Sequence, residues 1–270
     1  MDNRTRYRAK QAAALAVLAI LMCANRAAAQ TGPCGVPNGP AAPDLIIDQQ
    51  LLASQIFAID EKFTSKSCSV VEGVVTKPGT QVVLRFNSST PNIGQADLYI
   101  GDPAQCPVLF EFSDCHQHPH FTDYAAYRLW TTTGYAYWVA TRDPGAPTNS
   151  GINAQLLDAA TASRDLISGR KQGFCMVDSV RYVSGSGPAK YLSCSSNQGI
   201  SIGWEDTYPP QLPDQFIQIT GLNEGDYILE NQVNPNQLLP ESDYANNFAA
   251  VKIHYTPRHG NIPASVEVIP

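Results

Sequence analysis

Positive charge, long apolar runs and histidine are all in short supply in this chain, and each shortage narrows what it can do. Lys and Arg number 18 against 24 Asp and Glu, a net charge of −6. A surface of that sign is a poor partner for nucleic acid or anionic membrane surfaces, and it favours cationic ligands instead. The sustained apolar stretch from Ala12 to Cys23 is too short for a comfortable membrane span, so no stable membrane insertion is expected. No internal repeat divides the chain. Histidine occurs only five times, yet three of the five fall within Cys115-His116-Gln117-His118-Pro119-His120.

That cluster points to a metal. In an extended segment, residues i, i+2 and i+4 share a face. Three imidazoles would then converge on one ion and leave other coordination positions open, as in a catalytic rather than a closed structural site. Imidazole suits copper, zinc, nickel and iron alike, so the histidines by themselves do not choose the metal.

Residues 1–29 run from a basic start (Arg4, Arg6, Arg8, Lys10) through the apolar stretch to Ala27-Ala28-Ala29, the pattern of a secretory signal peptide. Removing them takes five of 18 basic residues and one of 24 acidic ones, which leaves 13 against 23 and a net charge of −10. Six cysteines remain: Cys34, Cys68, Cys106, Cys115, Cys175 and Cys194. An even set suits disulfides in an oxidising compartment, so a secreted, extracellular or periplasmic protein is expected. Six cysteines allow fifteen pairings.

The remaining length is enough for one domain with a full core. Its texture is all-β. Val82 to Phe86, Ala96 to Ile100, Gln215 to Ile219 and Asp226 to Leu229 are short β-branched and aromatic runs set off by Pro, Gly, Asn and Asp. Gly221 to Tyr255 reads as two sandwich strands joined by a long loop from Val233 to Asn247, with Phe248 to Tyr255 as the closing strand. Asp44 to Lys62 fits a short helix or a strand. The expectation is a single β-sandwich-like domain with long loops and little helix, stapled by disulfides, with loose tails over 30–43 and 258–270.

Downstream of the histidines come Ser168-Gly169-Arg170-Lys171-Gln172-Gly173-Phe174-Cys175, then Asn197-Gln198-Gly199-Ile200-Ser201, then Trp204-Glu205-Asp206-Thr207-Tyr208, then Pro240-Glu241-Ser242-Asp243-Tyr244-Ala245-Asn246-Asn247. With Cys-His-Gln-His-x-His before them, in this order and at similar separations, these motifs resemble the catalytic domain of the lysyl oxidase family. The resemblance covers about residues 44–257. It implies a copper-dependent amine oxidase whose organic cofactor, lysine tyrosylquinone, is made from its own side chains. Primary amines, either lysine side chains or small amines, would be oxidised to aldehydes, with oxygen consumed and ammonia and hydrogen peroxide released.

Carried over residue by residue, the resemblance makes His116, His118 and His120 the copper ligands, and Lys171 and Tyr208 the two halves of the quinone cofactor. Asp206 is the candidate base, since in a strand it shares a face with Tyr208. The resemblance also implies Cys175–Cys194 and Cys68–Cys115 bridges, which leaves Cys34 with Cys106. It further suggests a calcium site from Glu241, Asp243, Asn246 and Asn247 with Asp44-Leu45, an oxygen-rich set suited to a hard cation. The Tyr- and Thr-rich segment from Thr131 to Asn153 is extra relative to the family and reads equally as a shaper of substrate access or an inert hairpin. Two other classes stay open: a secreted calcium-binding Ig-like interaction module and a three-histidine zinc hydrolase. Neither needs Lys171 or Tyr208.

Overall fold

A computed structural model describes residues 42–171 and 173–270. The chain is built from fifteen short strands and four helices among these residues. In order they are α1 (Gln49–Ser54), β1 (Ile56–Phe63), α2 (Cys68–Val71), β2 (Gly79–Phe86), β3 (Ser88–Pro91), β4 (Leu98–Gly101), β5 (Phe110–Ser113), β6 (His118–Phe121) and β7 (Ala125–Thr131). Then follow α3 (Thr132–Thr141), α4 (Gly151–Ser163), β8 (Leu166–Ser168), β9 (Val180–Arg181), β10 (Gln198–Ile200) and β11 (Trp204–Tyr208). The last four are β12 (Phe216–Gln218), β13 (Gly225–Val233), β14 (Phe248–Thr256) and β15 (Ser265–Val268).

The largest sheet has the order β15-β14-β13-β7-β8, and β1-β2-β12 forms a three-stranded sheet, both antiparallel. Strand β14 alternates, with Ala249, Val251, Ile253 and Tyr255 buried and the residues between them half-exposed. This period of two lays one face on the core. Those side chains join Leu129 and Leu229 of the large sheet and Ala58, Leu84, Phe86 and Ile217 of the smaller one in a single apolar cluster. The fold is thus all-β and sandwich-like, as expected. The smaller pairs β3-β11-β9, β4-β10 and β5-β6 complete it.

Three local expectations change. The helix-or-strand segment is both: α1 is capped by the Asp48 side chain, which accepts from Leu51 N at 2.9 Å, and ends at Ser54. From Ile56 the chain instead pairs with β2 over eight residues, because a strand edge satisfies its backbone groups and buries Ala58 and Phe63. The expected loose tail contains β15, which pairs with β14 from Ile253↔Val268 to Thr256↔Ser265.

The extra segment is not a hairpin. Thr131 caps α3 by accepting from Gly134 N, and α3 and α4 cover the outer face of the large sheet through Trp138, Leu156 and Leu157 against Trp130 and Leu166. Beneath them Glu230, with no exposed side-chain surface, accepts from Trp130 Nε1 at 2.9 Å, Trp138 Nε1 at 3.2 Å, and Arg128 and Arg142 at 3.3 Å each. A carboxylate so buried is tolerable only when its oxygens are met this fully.

Candidate functional site

The histidine motif sits on the β5–β6 hairpin, where Ser113 pairs with His118 and Glu111 with His120. Only His118 and His120 are in the strand. His116 lies in the preceding turn, with Gln117 at φ +60° and two bonds to Ser113: Gln117 N to its carbonyl at 2.7 Å and His116 N to its hydroxyl at 2.9 Å. The single extended run expected from the spacing is therefore broken, because this turn satisfies the backbone before the strand begins.

Nε2 of His118 and Nε2 of His120 lie 3.1 Å apart, the separation of two donors each about 2.0 Å from one ion. All three rings lie close, with centroids between 4.7 and 6.1 Å apart. His116 Nε2, however, faces two carboxylates, Asp214 Oδ2 at 3.2 Å and Glu72 Oε2 at 3.4 Å. Among the described residues, donor atoms of Glu72, His116 and Asp214 all lie within 4.8 Å of one another. Burial, reinforced by His118 and then His116, pushes His120 down to about 4. It is therefore neutral at physiological pH, the form that binds metals.

The Lys171 segment is brought to the histidines by backbone pairing. Phe121 N donates to Phe174 O at 2.7 Å, at an isolated bridge between these residues. Gly173 makes the approach possible: a Cβ there would fall 1.9 Å from His120 Nδ1. Lys171 Nζ then stands 5.0 Å from the Phe174 ring centre and 5.7 Å from that of Tyr208, and donates to Pro213 O at 3.4 Å. Burial lowers its pKa, while Asp214, Glu72 and Asp206 oppose that shift.

Tyr208, at the end of β11, is buried and edge-on to Phe174 at 5.4 Å. Its hydroxyl donates to Cys175 O at 2.6 Å and accepts from Cys175 N at 2.9 Å. Cys175 is disulfide-bonded to Cys194, so one bridge holds the backbone that clamps the phenol. The second bridge, Cys68–Cys115, ties α2 to the histidine turn and carries Glu72 into the site. Both expected bridges are present; the third falls on Cys34, outside the described residues. Asp206 is buried behind Tyr208, with Oδ1 accepting from Ser179 Oγ at 3.1 Å and Oδ2 lacking a partner. Burial pushes it up to about 8.

Glu72, His116, His118, His120, Lys171, Gly173, Cys175, Tyr208 and Asp214 wall a cavity of about 120 Å³ with Val74, Leu212 and Pro213. A wider groove of about 520 Å³ shares Glu72, Val74, His120 and Gly173 with it and adds Glu111, Phe112, Asp114 and Arg170. The extra segment lines neither space. Glu72 and Asp214 were not legible as site residues, since neither belongs to a motif and both arrive through folding.

Residues of the set expected to hold calcium also meet. Glu241 accepts from Leu45 N at 2.7 Å, Asn234 Nδ2 at 2.6 Å and Asn247 Nδ2 at 2.7 Å, and Asn246 Nδ2 donates to Asp44 Oδ1 at 2.9 Å. Oδ1 of Asn246 and Oδ1 of Asn247 are buried without partners. Burial pushes Glu241 up to about 7. Asp243 is exposed and accepts from Ala245 N at 2.7 Å.

The lysyl oxidase family model matches residues 152–264, a span that includes Lys171, Tyr208 and Glu241 to Asn247 but not the histidines. Human lysyl oxidase homolog 1 is 30% identical over 232 residues, 82% of this chain and 35% of that protein. Pig protein-lysine 6-oxidase is 29% identical over 228 residues, 80% of this chain and 78% of that protein. The zebrafish lysyl oxidase homolog 2B is 26% identical over 231 residues, 82% of this chain and 26% of that protein. The chain thus spans about a third of the length of homolog 1. Residues 152–264 thus carry a lysyl oxidase family domain, and about four fifths of the chain is similar to lysyl oxidase homologs and protein-lysine 6-oxidase.

Proposed function

We propose that this protein is a copper-dependent amine oxidase that converts lysine side chains or small primary amines to aldehydes, using a quinone made from Lys171 and Tyr208. The observation that carries the reading is the placement of the Lys171 amine beside the Tyr208 ring, in one cavity wall with His116, His118 and His120. The donor set fits copper: two imidazole nitrogens at ligand-to-ligand separation, a third imidazole beside them and no thiolate. Copper at the histidines and the quinone supply the oxidising power, with oxygen as final acceptor and hydrogen peroxide and ammonia as by-products.

The chain's own residues do the rest. Burial favours the neutral amine of Lys171, the nucleophilic form. The Cys175 backbone fixes the phenol from both sides, so the ring presents one face to the lysine. Asp206, buried beside Tyr208 with its pKa pushed up to about 8, is mostly protonated at pH 7 and in its ionised form takes the substrate proton. The small cavity fits the end of an amine side chain, and Glu72, Glu111 and Asp114 line the approach with negative charge. Calcium, held by Glu241 and the carbonyl oxygens of Asn246 and Asn247 with Asp44 beside them, ties the Asp44-Leu45 segment to the last long loop. Secretion fits the two disulfides, and no helix of the described residues is long and apolar enough to cross a membrane.

The test is chemical. Copper and air should give metal-free protein a visible quinone band and amine-dependent peroxide release. Digestion followed by mass spectrometry should find the Lys171 and Tyr208 peptides joined, and Tyr208→Phe should abolish all three signals. Full activity with the two peptides separate would end the reading.

A further inference from the structure

We propose that Asp214 is a fourth protein ligand of the metal centre, so that the site is three imidazoles and a carboxylate rather than three imidazoles alone. This rests on the copper reading above. Asp214 Oδ2 is 3.2 Å from His116 Nε2, nearly the same donor-to-donor separation as the 3.1 Å between His118 and His120. Two donors about 2.0–2.2 Å from one ion stand that far apart at ordinary coordination angles.

Its environment points to a cation. The side chain is 3% exposed, it lines the cavity, and Oδ1 has no hydrogen-bond partner. A buried carboxylate oxygen left without a partner is costly unless a cation faces it. No lysine or arginine closes an ion pair with it among the described residues; Lys171 Nζ instead donates to the neighbouring Pro213 carbonyl.

The backbone is shaped to present it. Asp214 has φ +62°, in the left-handed region that few residues other than glycine, asparagine and aspartate enter. Arg85, itself bound to Glu61, donates to Pro210 O at 2.7 Å and Leu212 O at 3.1 Å, and Phe216 N donates to Asp214 O at 2.9 Å. These bonds fix the loop after β11 and aim Asp214 at His116. Glu72 approaches the same imidazole through Oε2 at 3.4 Å, but it is exposed to solvent and its Oε1 accepts from Ser113 Oγ, so we place it outside the ligand set.

The decisive variant is Asp214→Asn, because asparagine tolerates positive φ and keeps the shape while removing the charge. Wild type should hold one copper per chain, and His118→Ala should lose most of it; retention there would overturn the copper reading itself. Given that loss, Asp214→Asn should weaken copper binding at least about tenfold in competition with a chelator and change the hyperfine splitting of the Cu(II) resonance spectrum. The metal-free melting temperature should not fall. Unchanged affinity would overturn the proposal. So would weakened affinity with an unchanged spectrum, which would make Asp214 a hydrogen-bond partner that only orients His116. If the Asn variant does not fold, Asp214→Gly, which suits positive φ without strain, is read the same way.

Discussion

Single atoms decide whether this site can assemble. Gly173 is one: Gly173→Ala sets a methyl group against the His120 ring, and the ring has to leave its place beside His118. We expect that variant to fold but to lose most bound copper, measured by elemental analysis; full stoichiometry would show that the ring has room to move. Asp206 is another. Burial holds its pKa near 8, and a base works only when ionised. Catalytic efficiency should therefore rise with pH and level off above about 8. Asp206→Asn should lower the rate by about 10²-fold or more and remove that limb. A limb that survives the substitution belongs to another group.

Among the elements, the outer helices and the last loop carry separate tasks. Glu230 gathers two tryptophans and two arginines beneath α3 and α4. Glu230→Ala leaves Arg128 buried without its carboxylate, and about 3–5 kcal/mol of stability should disappear in denaturant titration. Copper content should be unaffected, since none of these residues lines the cavity. The Cys175–Cys194 bridge closes a short loop and contributes about 3 kcal/mol on the chain-entropy account. Replacing both cysteines by serine should loosen the Tyr208 clamp as well, so quinone formation should slow even at temperatures where the protein stays folded.

For the molecule as a whole, the Glu241 and Asn246 side chains join the Asp44-Leu45 segment to the loop before β14, and this junction should make stability depend on pH. Burial raises Glu241 from the ordinary carboxylate range to about 7, so without a cation the folded state binds a proton that the unfolded state has already released. Its contribution is complete below about 4.5 and is lost as pH rises through about 7. The calcium-free protein should accordingly melt at lower temperature at pH 7.5 than at pH 5, and Asp206, raised in the same sense, adds to the trend. Added calcium should restore the loss at pH 7.5 by holding Glu241 ionised. A melting temperature indifferent to calcium at both pH values would reduce the cluster to a hydrogen-bonded turn.

The sequence by itself determined the all-β class through its local residue patterns, while the resemblance carried by its ordered motifs implied the two bridges that the structure describes and offered His116, His118, His120, Lys171 and Tyr208 as the site residues that the fold gathers around one cavity. Period-two burial in β14 and the long loop before it were equally legible. Tertiary structure decided what no local pattern encodes. It turned His116 out of the strand, brought Glu72 in through the Cys68–Cys115 bridge, and set Asp214 opposite the histidines from a loop that Arg85 anchors. It also folded Thr131 to Asn153 into α3 and the start of α4, whose burial depends on Glu230, far along the chain. Such placements follow from satisfying buried backbone and charged groups between distant segments, a condition that exists only once those segments have met.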